Sequence, residues 1–221
     1  MSGKLYIVAT PIGNLEDITL RALQTLKDVD FILCEDTRVS KNLLNHYNIA
    51  KPLISYHQHS DMKKVSEIIG LIEVGKNLAL ITDAGTPGIS DPGNLLIRDL
   101  INKNNKIEII PIPGPSAVIS ALSISGFPTD KYIFMGFPPH KNKRQKYFKE
   151  VAEAKYTVVF YESSHRILKC LNELKEFLKP ESKIIVCREV TKKFETIYRG
   201  TIDQILQMNI MEKGEFVVVV S

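Results

Sequence analysis

Five short apolar runs, at residues 5–9, 31–34, 52–56, 78–81 and 107–112, alternate with stretches of helical spacing near 19–28, 40–47, 61–74 and 91–103. Strands that alternate with helices form a parallel, doubly wound sheet, because each crossover helix returns the chain to the same end of the sheet. Met62, Val65, Ile68, Ile69 and Ile72 make the clearest helical stripe, and its apolar width suits packing on that sheet. If the runs are parallel, their polar or glycine-bearing exits gather at one edge. Those exits read Thr10-Pro11-Ile12-Gly13-Asn14, Glu35-Asp36-Thr37-Arg38, His57-Gln58-His59, the loop after Ile81, and Pro113-Gly114-Pro115-Ser116. The carboxyl edge of such a sheet is where a ligand crevice opens.

The fourth exit is the longest. Within LITDAGTPGISDPG (80–93), Gly85, Pro87, Gly88, Pro92 and Gly93 are too dense for a strand or helix to continue. Thr82, Asp83, Thr86, Ser90 and Asp91 group hydroxyls and carboxylates there. The loop is neither G-x-x-x-x-G-K-[ST] nor G-x-G-x-x-G. An ordinary βα turn explains part of it, with Ser90 or Asp91 capping the next helix and Pro92 in its first turn.

The second half is less regular. Strands are expected at 132–137, 157–161, 184–187, 194–198 and 216–220. Short spacings after residue 184 favour antiparallel pairing, hence a mixed sheet. Ile167, Leu168, Leu171, Leu174, Phe177 and Leu178 form a core-facing stripe, with Ser163 or Ser164 placed to cap its helix. Pro138-Pro139 precedes HKNKRQKYFK (140–149), which holds five Lys/Arg and no acid. Such a run is commonly a solvated helix face. Beside a Pro-Pro break, with Tyr147 and Phe148 interleaved, it also suits a phosphate-binding patch.

The charge of +4 over 221 residues is compatible with a nucleic-acid partner without requiring one. No apolar run approaches the ~18 residues of a membrane span, and the N-terminus shows no signal-peptide layout. Cys34, Cys170 and Cys187 are odd in number and scattered, which fits reduced thiols in a cytoplasmic protein. His57 and His59 are a lone H-x-H pair without carboxylate or thiol neighbours, so no metal site is expected.

Several long segments carry a resemblance: VATPIGNLEDIT, CEDTRVSKNLL, ITDAGTPGISDPG, PIPGPSA, FYESSHR, REVTKKFET and KGEFVVVV. Together they resemble the tetrapyrrole methylase superfamily, and more narrowly its ribosomal RNA small subunit methyltransferase branch. The resemblance implies an α/β protein of two domains, 1–115 with a mostly parallel sheet and 116–221 with a mixed sheet. It implies S-adenosylmethionine (SAM) in a cleft between them, a homodimer, and 2′-O-methylation of a cytidine in 16S rRNA of the small ribosomal subunit. By resemblance, Pro11, Gly13, Asp83, Gly85, Thr86, Ile89, Ser116, Ala117, Tyr161, Glu162, Val190, Gly214 and Glu215 bind the cofactor. Two departures matter. The family's G-x-G-P-G-D loop is replaced by Ala9 to Asn14, and Thr86 stands where the family places a SAM-contacting aspartate. Threonine cannot supply that charge, which leaves Asp83 to compensate.

A ribose hydroxyl is a weak nucleophile and must lose its proton. The candidate bases are Glu35, Asp36, Asp83, Glu162 and Glu189 at strand exits, with Lys192 as an alternative if the cleft depresses its pKa. Glu35 or Asp36 is favoured, near Arg38 as a phosphate contact, although Glu35–Arg38 reads equally well as a structural ion pair. Arg38, Lys41, Lys141, Lys143, Arg144 and Lys146 are the expected RNA contacts. Competing readings are a methyltransferase for a tetrapyrrole precursor, a non-catalytic ribosome-assembly factor and, more distantly, a phosphate-hydrolysing enzyme.

Overall fold

The computed structural model describes residues 2–57, 60, 62–91, 93–103 and 106–221. Gln58, His59 and Pro92, which figure above, lie outside the described residues. The chain divides into two compact units, Met1–Ser116 and Ala117–Ser221.

The first unit holds strands β1 (Lys4–Val8), β2 (Phe31–Cys34), β3 (Leu53–Ser55), β4 (Leu78–Leu80) and β5 (Glu108–Ile112) in the order β3-β2-β4-β1-β5. Every pairing is parallel. Helices α1 (Leu20–Asp28), α2 (Thr37–His46), α3 (Met62–Glu73) and α4 (Gly93–Lys103) supply the crossovers. Leu5, Ile7, Leu33, Leu78 and Leu80 face Val65, Ile68, Ile69 and Ile72 of α3 and Leu96 and Leu100 of α4. Val8, Ile32, Cys34, Ala79 and Ile81 face Ala22 and Leu26 of α1 and Leu44 of α2. Each fully buried Leu or Ile contributes about 1.5–3 kcal/mol, so both faces are closed by burial rather than by polar contacts.

Strands β4 and β1 are neighbours whose connections diverge. β1 leads through α1 toward β2 on one face, while β4 leads through α4 toward β5 on the other. That divergence opens a crevice at the strands' carboxyl ends.

The second unit holds α5 (Ala117–Ser123), β6 (Tyr132–Phe134), α6 (Arg144–Glu153), β7 (Thr157–Glu162), α7 (Ile167–Lys175), β8 (Lys183–Arg188), β9 (Thr196–Thr201), α8 (Ile202–Gln207) and β10 (Phe216–Val220). The sheet order is β6-β7-β10-β8-β9, with β6–β7 parallel and the other pairings antiparallel. Strand alternation sorts the residues between two faces. Val158, Phe160, Ile184, Val186, Phe216 and Val218 pack with helices α6, α7 and α8. Val159, Tyr161, Ile185, Cys187, Val217 and Val219 pack with α5 and Val190.

Local structure departs from expectation at two helices, α2 and α5, and follows it at α6. α2 begins at Thr37 rather than near 40, because the Asp36 carboxylate caps it by accepting the Arg38 N–H at 2.8 Å. α5 follows the P-G-P-S turn, where no helix was expected. α6 occupies most of the basic run, held by the inward residues Tyr147, Phe148 and Val151. Among the described residues, no helix is long and apolar enough to cross a membrane.

Candidate active site

In the first unit the five exits do converge, since all five strands are parallel, and three of them are tied together. Thr10 is fully buried, and its N–H donates to the Gly85 carbonyl at 2.9 Å while the Gly85 N–H returns to the Thr10 carbonyl at 3.1 Å. The Thr10 hydroxyl also donates to the Thr82 carbonyl at 3.1 Å. The Thr86 hydroxyl donates to the Pro115 carbonyl at 3.2 Å, joining the fourth exit to the fifth. Gly85 lies in the left-handed region (φ +83°), with Ile12 3.4 Å from where a Cβ would stand. Pro11 is buried, Gly13 and Asp83 are exposed, and Ser116 is half-buried. Ile89 is half exposed on the loop. Asp91 holds this loop more than it caps a helix: its carboxylate accepts the N–H groups of Gly88, Ile89 and Gly93 at 2.8–3.2 Å.

The acids at this edge differ in proton affinity. Partial burial, reinforced by the charges of Asp83 and Asp91, raises the pKa of Glu35 above the usual carboxylate range. Partial burial also raises Asp83, and the charge of Asp36 adds to it against a hydrogen bond from the Asp36 backbone. Asp36 goes the other way, to about 2, because Arg38 donates to it through both side chain and backbone. The structural ion pair at this exit is therefore Asp36–Arg38 (2.6 Å), not Glu35–Arg38. Asp36, capping a helix and held ionised, is a poor proton acceptor. Lys41 stands exposed on α2 beside this exit.

In the second unit, β7 and β8 end where β10 begins, with Phe216 in register with both Glu162 and Arg188. Tyr161, Val190 and Ala117 share one face of the sheet there. The Tyr161 ring packs edge-on against Phe134 and tilted against Phe137. Glu162 points to the opposite face. Its side chain is fully buried and its Oε1 accepts the Ser163 N–H at 2.8 Å and meets Arg166 Nε at 3.2 Å. Period-two alternation thus turns the Glu162 side chain away from Tyr161 and sets its Oε1 against Arg166.

The turn at 213–215 is held by four side chains. The Ser164 hydroxyl donates to the Gly214 carbonyl at 2.6 Å and accepts the Gly214 N–H at 2.8 Å. Neither Ser163 nor Ser164 caps α7, whose N-cap position is Arg166. Arg188 donates to the carbonyls of Lys213 (2.7 Å) and Phe194 (2.9 Å). Glu189 Oε1 accepts the Glu215 N–H at 2.9 Å and Lys192 at 3.0 Å, and Lys192 also reaches Glu215 at 2.7 Å. Glu189 and Thr191 both have left-handed backbones (φ 53° and 66°), an uncommon conformation for such residues.

This geometry also corrects Lys192. Burial works against its charge, but Glu215 and Glu189 outweigh it and lift the pKa above the ordinary lysine value. An ammonium held protonated cannot accept a proton. Burial pushes Glu189 up, yet the hydrogen bonds from Glu215 and Lys192 prevail and its pKa is lowered. Arg144 fails as a phosphate contact for a similar reason, being buried and paired with Glu173. Lys141, Lys143 and Lys146 remain exposed. The thiols are buried and unreactive, with Cys187 pushed up to about 12 by burial. Among the described residues, no three His, Cys, Asp or Glu side chains group as metal ligands.

Sequence reasoning gave no site role to Thr10 or Arg188, and offered Ser164 only as a helix cap. Each acts through partners 25 to 75 positions away, a separation that no local pattern signals.

Comparison with known proteins matches residues 4–206 to the family of Tetrapyrrole (Corrin/Porphyrin) Methylases. A protein of Mycoplasmopsis pulmonis named ribosomal RNA small subunit methyltransferase I is 48% identical over 98% of this chain and 96% of its own length. Its namesake in Thermotoga maritima is 42% identical over 99% of this chain and 98% of its own. Among solved structures, the methyltransferase CobJ superposes with a TM-score of 0.72 at 16% identity, covering 100% of this chain and 94% of that one. The cobalt precorrin-4 methyltransferase CbiF gives a TM-score of 0.68 at 18% identity, over 98% of this chain and 94% of that one. At such identities these two establish the fold alone, which is the two-sheet α/β arrangement expected from the sequence.

Proposed function

This chain belongs to the tetrapyrrole (corrin/porphyrin) methylase family, in its ribosomal RNA small subunit methyltransferase I branch, and from that premise we propose that it transfers a methyl group from SAM to the ribose 2′-hydroxyl of a cytidine in 16S rRNA. The observation that carries the reading is identity of 42–48% to relatives of that name over nearly the whole chain. A homodimer and a cytoplasmic setting belong to the same reading.

The residues present fit a cationic nucleoside cofactor. Gly85 and Gly214 have positive φ, and a Cβ at Gly214 would stand only 2.8 Å from Glu189 Cγ, so both turns depend on glycine. Within the first unit Ile89 supplies apolar surface, and Glu35 and Asp83 supply negative charge that nearby acids and burial make costly without a cation; within the second, Tyr161 and Val190 supply apolar surface. When bound, SAM supplies a methyl group on sulfonium, open to in-line attack. In the first unit the cofactor contacts we infer are Gly85, Thr86, Ile89 and Ser116; in the second, taken by itself, they are Ala117, Tyr161, Val190, Gly214 and Glu215. Thr86 is already engaged with Pro115, so Asp83 is the acid left to replace the family's aspartate.

Glu35 and Asp83 also have the proton affinity a base needs. Their raised pKa values bring them nearer the working pH than Asp36 or Glu189. We assign proton removal from the ribose hydroxyl to Glu35, with Asp83 beside it keeping that affinity high. Arg38 and Lys41 on α2 are assigned to backbone phosphates near the target nucleotide.

The test is to map ribose methylation in 16S rRNA from cells lacking the protein, then restore it, alongside incubation of purified protein with methyl-labelled SAM. Loss and recovery at one cytidine, with label entering 30S particles or 16S rRNA, is expected. Label entering a tetrapyrrole precursor instead would overturn the assignment.

A further inference from the structure

The basic run at 140–149 is not a uniform cationic face, because its one arginine is spent on structure. Arg144 is 7% exposed. Its guanidinium donates twice to Glu173 and, through Nη1, to the Pro139 carbonyl at 2.7 Å, lying over the Phe148 ring. Arg166 approaches from another element. It donates through Nη2 to the Pro138 carbonyl at 2.8 Å, pairs with the buried Glu162 and rests its Nη1 3.2 Å from a ring nitrogen of His140. Two adjacent prolines lack N–H groups, so their carbonyls are the polar handles available. Each handle is held by a guanidinium that a glutamate neutralises.

Beyond this clamp the chain surfaces at His140–Lys143. Lys141, Lys143 and Lys146 line one groove with Lys169 of α7 and Glu173. Among the described residues, neither Lys141 nor Lys143 has a carboxylate within ion-pair distance. Lys146 and Lys169 reach acids only loosely, at 3.9 and 3.8 Å, and the acid near Lys169 is the Glu173 already shared with Arg144. The local sequence works against this arrangement. Lys143 adopts φ 68° at the N-cap without a capping bond, and Arg144 and Lys146 put positive charge at the positive end of a helix. Rules broken together at one exposed place mark a functional surface.

We propose that this groove is a preformed docking site for the phosphodiester backbone of the RNA substrate. Lys141, Lys143, Lys146 and Lys169 contact phosphates, while Arg144 and Arg166 are positioning residues that touch none. The inference rests on the rRNA reading above. Lysines acting as point charges suit a contact that positions RNA without reading its bases.

The experiment measures binding of 16S rRNA to the full chain across a salt series, with SAM affinity by calorimetry as a control. Lys141→Ala with Lys143→Ala lowers the slope of log K against log salt by about 1.5, at roughly 0.7–0.9 per phosphate contact, and leaves SAM affinity unchanged. Arg144→Met weakens RNA binding in the wild-type background but not in the double-lysine background, because its effect passes through those lysines. If Arg144→Met does not fold, Arg144→Lys serves the same comparison. An unchanged salt slope in the double-lysine variant overturns the docking site while leaving the methyltransferase assignment standing. An equal Arg144 effect in both backgrounds overturns the positioning role. A wild-type chain that binds rRNA yet methylates none of it overturns the function and keeps the docking site.

Discussion

Replacing Ser164 by Ala removes two hydrogen bonds at once, since its hydroxyl both donates to the Gly214 carbonyl and accepts the Gly214 N–H. A neutral hydrogen bond contributes about 1 kcal/mol net, and leaving a buried partner unsatisfied costs more. Both residues are half-buried, so water recovers part of the loss. The expected destabilisation of the 213–215 turn is about 2 kcal/mol, which is roughly 30-fold in an opening equilibrium. Amide hydrogen exchange at Gly214 and Glu215 reads that change directly, and those amides should exchange about 30-fold faster. If this turn cradles the cofactor, SAM must reorder it, and calorimetry should show a Kd raised by up to the same factor. Ser163→Ala is the internal control. Its hydroxyl makes one long contact, 3.3 Å to Glu162, while its backbone N–H keeps the better one. Exchange and SAM affinity in Ser164→Ala that match those of Ser163→Ala would refute the cradle.

Glu35→Gln should lower methyl transfer by about 100-fold or more at saturating SAM, with any loss of SAM affinity measured separately by calorimetry, and the wild-type rate should rise with pH through the raised Glu35 pKa and then level off; full activity in the variant would move the base elsewhere. The same change should stabilise the fold at pH 8 and make little difference at pH 3. A carboxyl whose folded pKa is raised contributes stability below its unfolded pKa and loses it as pH rises through the folded value, which thermal melts at the two pH values would show. Lys192→Gln should cost less than about 1 kcal/mol, given its partial exposure, and leave the pH profile of turnover unmoved; a variant that binds SAM normally but does not turn over would return Lys192 to proton transfer.

Strands such as Phe31–Cys34 and Phe216–Val220 were legible to the residue because each is an unbroken apolar run between polar neighbours. The start of α2 was misplaced because Asp36 looked like part of a strand exit, whereas its carboxylate reaches the Arg38 N–H as a cap. α6 followed the helix-face reading of the basic run, with Tyr147, Phe148 and Val151 as the inward stripe. The convergence of exits followed from strand parallelism alone. What did not follow was the partner of each charged group. Arg144 reads as one more cation until Glu173, 29 positions on, is brought beside it. The orientation of Glu162 was within reach, since alternation along β7 sets it opposite Tyr161 once the strand is known to extend through residue 162.

β10 lies in the middle of its sheet, bonded on one side to β7 and on the other to β8, although it is the last strand of its unit to be synthesised. During translation, β7 and β8 therefore emerge with inner edges that have no mate, and the nascent TVVFY segment, apolar up to Glu162, is the kind of stretch that sticks to other chains. In the first unit the inserted strand comes earlier: β4 slots between β1 and β2, and the last strand, ending at Ile112, only joins an edge. Vectorial synthesis thus lets the acid-bearing half mature early, while the half carrying the lysine groove stays open until residues 216–220 slot between their two neighbours.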